Sequence, residues 1–331
     1  MNSRNEPFLF SQAMIARLAA THPTTVFRVI KEAKIRNINL DTTKTKKYDL
    51  LATRKIISTI ENHRLHPDRK IQVFYNLKGG TGKTSICYQI ATHLAISGYK
   101  VLVIDCDSQG HLSTLFGFAE DGNYHTLYDV LINDLDMQET IVPIFEGLDV
   151  IPSNLSLSRV EVPLSQKARR EDKLKDRLDA VKENYDYILI DTNPSISTLN
   201  LNALVCADQV NFVCETAPFS LYGLRLLLEE VKTLFNEMHK PLRYKIICNR
   251  YEAKTTTAQE VLGYLRSHYK ENVYKSVVRK CEDINIASKE KLPISIFCKP
   301  KSIGLEDIID LLHEFIQESY IIEPLLEKIV S

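Results

Sequence analysis

The chain has 331 residues, with 42 Lys+Arg balanced by 42 Asp+Glu and 44% hydrophobic residues, enough for one large α/β domain or two domains built around a core that needs no staples. Its seven cysteines (Cys87, Cys106, Cys206, Cys214, Cys248, Cys281, Cys298) are dispersed and form no CxxC pair, MNSRNEPFLF has no signal-like apolar segment, and no apolar run reaches membrane-spanning length. Secreted, disulfide-framed, membrane-spanning and disordered classes are therefore set aside, and a reducing cytoplasmic setting is expected. The zero net charge hides an asymmetry: residues 1–70 carry 14 Lys/Arg against 6 Asp/Glu, so +8 faces −8 over the rest, as in a nucleic-acid-facing module on an acidic body.

The first elements in the chain predict that module. QAMIARLAATHPTTVFRVIK (12–31) has helix-turn-helix spacing, with Ala16 where two helices cross, Ala20 at the turn, and Ile15, Leu18, Val26 and Val29 facing inward. His22 takes the cap position and Pro23 the first helical turn. Thr24, Thr25 and Arg28 then lie where recognition side chains meet base edges, and Lys31, Lys34 and Arg36 where side chains reach phosphates. A wing-like basic loop and a third helix follow in RNINLDTTKTKKYDLLATRKIISTI. A plain helical hairpin for dimerisation has the same spacing. The polar ENHRLHPDRK (61–70) reads as a linker, dividing the chain into a helix-turn-helix domain over 1–65 and a second domain over 66–331.

Beyond it, short apolar strands alternate with helices of 10–20 residues. Strands are expected at IQVFYN, KVLVIDCD, DVIPS, YDYILIDT, DQVNFVCET, YKIICNR and ENVYKSVV, with irregular chain before DVIPS. A helix capped by Gly98, a charged helix over residues 165–183, and the helices FSLYGLRLLLEEVKTLFNEM and TTAQEVLGYLRSHY connect them. The pattern implies a mostly parallel, doubly wound sheet.

YNLKGGTGKTS (75–85) supplies the sharpest chemical signal. It departs from GxxxxGK[ST] only at Leu77, which takes the place of the first Gly. Between a strand and a helix, Gly79, Gly80, Thr81 and Gly82 form a loop whose N–H groups point at phosphate oxygens, backed by a helix N-terminus. Lys83 would reach the β/γ-phosphates, Thr84 would ligate Mg²⁺, and Ser85 closes the loop. Lys78 has no role in an ordinary phosphate loop.

KGGTGKT resembles the deviant Walker A motif of the ParA/MinD family of partition and positioning ATPases. The resemblance implies that Lys78 reaches across a nucleotide-sandwich dimer to the partner's phosphates. KVLVIDCDSQGHLST resembles the family's Walker A′ segment, with Asp105, Asp107, Gln109 and Gly110 in place and Ser108 for Pro. YDYILIDTNPSISTLNLNAL resembles its Walker B and switch II segment, with Asn193-Pro194 replacing the usual Pro-Pro. Asp107 would orient the attacking water or bind metal through water, and Asp191 would hold Mg²⁺ indirectly. Asn249 falls where related ATPases contact adenine, although a turn-forming Asn fits there equally. Lys280 aligns with a family Arg and Asp283 with a second basic position. Lys254, Lys275, Lys280 and Lys289 are candidates for non-specific DNA contact.

The resemblance implies a P-loop NTPase fold preceded by an all-α (winged) helix-turn-helix domain, as in longer plasmid ParA proteins that repress their own operon. It further implies ATP and Mg²⁺ as cofactors, weak ATPase activity stimulated by DNA and a ParB-type centromere-binding protein, and a homodimer associated with the nucleoid. A nucleotide-responsive repressor and a MinD-like positioning ATPase are the alternatives. Membrane docking of the latter kind is disfavoured by a tail, GLEDIIDLLHEFIQESYIIEPLLEKIVS, with seven acids and one lysine, which an anionic leaflet repels. That tail is expected to pack as a terminal helix. Cys106 and Cys214 read as small core residues rather than cluster ligands.

Overall fold

The computed structural model describes residues 8–38, 46–61, 67–68, 70–119, 122–299 and 301–320. Strand β1 (Phe10–Ser11) leads into helices α1 (Gln12–Leu18) and α2 (Pro23–Glu32). The Ser11 side chain caps α1, and the His22 ring nitrogen accepts the Thr24 N–H at the start of α2, satisfying amides that a helix start leaves unpaired. The turn between the helices needs a left-handed residue, and Ala20 supplies it at φ 46°. Ile15, Ala16, Leu18, Val26 and Val29 are all buried, as their spacing predicts.

This unit is not all-α. Strand β2 (Lys47–Tyr48) pairs antiparallel with β1 before helix α3 (Leu50–Ile60) begins. Two-residue strands carry no periodic signal, which is why an all-helical reading passes over them. The expected wing and linker fall partly on residues 39–45, 62–66 and 69, outside the described residues.

The body begins with β3 (Ile71–Tyr75), α4 (Lys83–Ile96) and β4 (Val101–Cys106), where Gly98 takes the left-handed position after α4 at φ 100°. Short helices α5 (His111–Leu115) and α6 (Leu127–Ile132) precede a hairpin of β5 (Val142–Phe145) and β6 (Leu148–Ile151). Strand β5 is missed by sequence because Pro143 interrupts its short apolar run and reads as a break; it pairs antiparallel at the sheet edge, where a proline is tolerated.

The charged helix expected over residues 165–183 is instead broken into α7 (Glu161–Ser165), a 3₁₀ turn, α8 (Lys173–Leu178) and a second 3₁₀ turn. Arg169 is left-handed at φ 51°. The buried Asn202 side chain holds the break open by accepting from Leu174 N–H at 3.0 Å and donating to Arg170 O at 2.7 Å. A tertiary hydrogen bond thus overrides helical propensity.

The remainder alternates as expected: β7 (Tyr187–Thr192), α9 (Thr198–Cys206), β8 (Gln209–Glu215), α10 (Pro218–Glu237), β9 (Tyr244–Tyr251), α11 (Thr256–Tyr269) and β10 (Val273–Arg279). Helices α12 (Glu282–Glu290), α13 (Ile294–Phe297) and α14 (Ile303–Glu318) complete the described chain. The eight strands run in the order β10-β9-β8-β3-β7-β4-β6-β5, parallel throughout except for β5. Alternate residues of each strand feed two cores, Phe74, Val101 and Val103 on one face and Val73, Leu102 and Ile104 on the other.

Helices α1–α3 share the first core with α4 and α14. The Arg54 guanidinium on α3 donates to the carbonyls of Ala95, Gly98 and Tyr99 at the C-terminal end of α4, and the His313 ring on α14 meets Leu18 O at 3.2 Å. The tail does pack as a helix over α14, with Leu305, Ile308, Leu311, Leu312 and Phe315 buried; residues 321–331 lie outside the described chain. Among the described residues no helix is long and apolar enough to cross a membrane. Cys106 and Cys214 are buried, free core thiols.

Candidate nucleotide-binding site

Parallel strands bring their C-terminal ends to one edge of the sheet, where ligands of open α/β sheets bind. That edge gathers the phosphate loop after β3, Asp105 and Asp107 at the end of β4, and Asp191 near the end of β7. Glu215 ends β8 and Asn249 lies near the end of β9. Asp105 and Asp191 are direct neighbours across β4 and β7. The Thr192 hydroxyl ties β7 back to Phe74 O at 2.7 Å.

The loop is held from below. Asn76 donates to Val213 O at 2.7 Å and accepts the Lys78 amide at 3.0 Å. Leu77, in place of the first glycine, packs half-buried on the second core. Gly80 and Gly82 take left-handed φ values of 76° and 90°, which glycine adopts without strain, while exposed Gly79 approaches Pro194. Thr81 is fully buried and its carbonyl accepts from Asn249 Nδ2 at 2.7 Å. Ser85 lies half-buried with its hydroxyl 3.5 Å from that of Ser288.

Lys83 opens α4 and is almost wholly buried, its Nζ 3.5 Å from the Lys78 carbonyl. Burial pushes its pKa down, against the pull of Asp191 and Asp107. Asp191 is also buried, and burial followed by the neighbouring Asp105 raises its carboxyl well above the usual range. Thr84 lies close enough to oppose that rise, yet neither Asp191 oxygen makes a hydrogen bond of good geometry. A buried carboxylate left without a full partner next to a loop threonine is a cost unless a ligand shell completes it. That donor set fits a magnesium ion held by Thr84 and, through water, by Asp191 and Asp107.

Asp105 and Asp107 divide their tasks. Asp105 is buried and accepts from the Ser113 amide and hydroxyl and from the Asp107 amide, at 2.9, 2.7 and 3.0 Å. Burial nonetheless raises its pKa to about 6. It braces the turn that delivers Asp107, whose Oδ1 accepts from the Gln109 amide at 3.0 Å and whose charge acts on Lys83.

The Asn193-Pro194 departure has its own bracing. Asn193 Oδ1 accepts from Ser195 Oγ at 2.5 Å and from Asn200 Nδ2 at 2.8 Å, while Asn200 also donates to Ser195 O at 2.7 Å. The side-chain amides stiffen the turn that a second proline would otherwise stiffen.

A cleft of about 590 Å³ opens beside the loop, lined by Gly82, Ser85, Asn249, Arg279, Lys280 and Asn285 among others. Asn249 serves it chiefly by anchoring the loop. Lys280 is exposed but ion-paired with Glu252 at 2.8 Å, and Asp283 accepts from Ser302. Lys254, Lys275 and Lys289 are exposed on the same part of the chain.

Sequence reasoning passed over the partners of Lys78. Its Nζ lies 2.5 Å from Glu215 Oε2 and 3.0 Å from Ser220 Oγ on α10. The signal was available: an acid closing a buried strand lands at the same edge as Asp107 and Asp191. Thr24, Arg28 and Lys31 are exposed on α2 and Thr25 is half-buried. The Thr24 hydroxyl is tied to the His22 ring at 2.8 Å.

A family profile described as an AAA domain matches residues 69–244. The chain is 37% identical over 254 residues to the cell division protein PomZ of Myxococcus xanthus, covering 76% of this chain and 79% of that one. It is 32% identical to the chromosome partitioning protein ParA of Caulobacter vibrioides, over 75% of this chain and 94% of that one. A plasmid partition protein of Borrelia burgdorferi bound to AMPPNP superposes with a TM-score of 0.64 at 26% identity, covering 76% and 99% of the two chains.

Proposed function

Because this chain belongs to the ParA/MinD family of ATPases, we propose that it is a DNA partition ATPase whose nucleotide state sets whether two protomers join. The observation that carries this reading is the divergence of two lysines in one loop. Lys83 is buried and turned toward the phosphate cradle, whereas Lys78 lies five residues away with its ammonium held by Glu215 at the end of β8 and Ser220 on α10. A second cation that does not serve its own cradle is suited to serve a partner's, as an arginine finger does.

In this reading the amides of Gly79, Gly80, Thr81 and Gly82, with Lys83, Thr84 and Ser85, bind the phosphates of ATP. Bound magnesium neutralises phosphate charge there. Asp107 positions the attacking water and takes its proton, Asp191 senses the γ-phosphate side, and Lys78 completes the opposite site in the dimer. Asn249 secures the loop and borders the base cleft. The dimer binds DNA non-specifically through Lys254 and its neighbours, with Lys280 contributing once Glu252 lets go. Hydrolysis returns the chain to a form that leaves DNA, helped by a ParB-type partner.

The basic N-terminal helices read an operator through Thr24, Thr25, Arg28 and Lys31, so that one chain both partitions DNA and represses its own promoter. The test is sedimentation of the full chain with and without ATP and Mg²⁺, paired with ATP turnover with and without DNA. A monomer in every nucleotide state, or turnover indifferent to DNA, would sink the reading. Turnover that is lost while operator binding persists would favour a nucleotide-responsive repressor.

A further inference from the structure

Lys78 is occupied. Its ammonium sits between Glu215 Oε2 at 2.5 Å and Ser220 Oγ at 3.0 Å. The other oxygen of the same carboxylate, Oε1, accepts from Arg250 Nη1 at 2.9 Å. Glu215 is therefore shared by two cations, one oxygen each. Burial works to raise its pKa, but Lys78 and Arg250 together outweigh that and hold it below the usual carboxylate range, so it stays charged. Arg250 reaches it from a left-handed residue at φ 53° just past Asn249. When Lys78 leaves, Arg250 is already in place to keep the half-buried carboxylate paired.

We propose that Glu215, with Ser220, is a positioning residue that stores the Lys78 ammonium within its own protomer and releases it only on dimerisation. This rests on the reading that Lys78 acts across the dimer. Each dimer formed then opens two such contacts, and the cost enters twice. A partly exposed ion pair holds its partners by a factor of up to about five, so the two contacts together oppose dimerisation by up to about 25-fold. The contact would keep protomers apart at low ATP while keeping the ammonium beside the loop, close to where it is needed.

The test uses the full chain in two measurements. In nucleotide-free protein, trace acetylation with acetic anhydride reports the freedom of the Lys78 amine, read by mass spectrometry against the exposed Lys254 and Lys289 of the same chain. Glu215→Gln should speed acetylation at Lys78 several-fold relative to those lysines; a merely structural role would leave that ratio in place. With AMPPNP and Mg²⁺, Glu215→Gln should lower the dimer dissociation constant by up to about 25-fold, and Ser220→Ala should move it the same way by less. Unchanged acetylation of Lys78 overturns the proposal. So does a dimer that fails to tighten in both variants while Lys78→Ala weakens it, which leaves the in-trans role of Lys78 standing. If Lys78→Ala leaves the dimer untouched, the in-trans role itself fails and this proposal goes with it.

Discussion

Asn249 and Gly82 interlock. The Asn249 amide that donates to Thr81 O at 2.7 Å occupies the space a Cβ on Gly82 would need. Gly82→Ala therefore meets two obstacles, a left-handed backbone and a collision, and should abolish ATP binding in calorimetry. Asn249→Ala removes a buried hydrogen bond to the loop and should weaken ATP binding by about 1–3 kcal/mol. The double variant should bind no better than Gly82→Ala alone, because space is restored but the backbone conformation is not. Recovery of binding in the double variant would show that collision was the whole effect.

Lys83→Ala should also abolish ATP binding, since the loop loses the buried cation aimed into its cradle. Unchanged affinity in calorimetry would contradict the assignment of the phosphate loop.

Asp107→Ala separates binding from turnover. Phosphate binding uses the loop and Lys83, whereas water activation uses Asp107, so the variant should bind ATP, hydrolyse it at least about a hundredfold more slowly and accumulate as dimer in sedimentation. A variant that turns over normally removes Asp107 from the chemistry.

Two buried groups pull the pH dependence of stability in opposite directions. The folded pKa of Asp105 is raised to about 6 from an ordinary 3.8, so its contribution is complete at low pH and is lost as pH rises to about 6. That of His93, buried on α4, is lowered to about 4 from 6.5, so its contribution is present above 6.5 and is lost as pH falls to about 4. Each is worth about 3 kcal/mol at full span, and between pH 4 and 6 they offset one another. In urea unfolding, His93→Leu should expose the joint slope of the buried carboxyls Asp105 and Asp191, both raised in the folded chain, with stability rising as pH falls from about 6 to 4. A flat profile would mean that neither carboxyl is held protonated in the folded protein.

Arg28→Ala should cost about 1–3 kcal/mol at the protein's own promoter if Arg28 makes a base contact. Its effect on non-specific DNA should be confined to about one phosphate contact's worth of salt dependence. Equal footprints for both proteins would remove the recognition role of α2.

The phosphate loop, Asp107 and Asp191 were legible because each follows an apolar strand, and parallel strands must deliver their ends to one edge. The α1–α2 turn was legible because Ile15 and Leu18 on one side of it, and Val26 and Val29 on the other, each stand at helical spacing. What escaped depended on contacts distant in sequence. Asn202 breaks the run over residues 165–183, and Glu252 pairs Lys280, a candidate for DNA contact. Glu215 meets Lys78 across 137 residues; the end of β8 tells which edge of the sheet Glu215 reaches, but not which side chain meets it there.

Helix α4 is buried on almost every side, including its charged first residue. A helix without a wet face cannot be finished by the sheet alone; it needs cover on its outer flank, and α3, α5 and α14 provide it. The basic N-terminal helices are thus part of what lets the central helix exist in water, and their loss would uncover apolar surface that promotes self-association. Heating should melt the N-terminal helices and the nucleotide site together, as one cooperative transition rather than two.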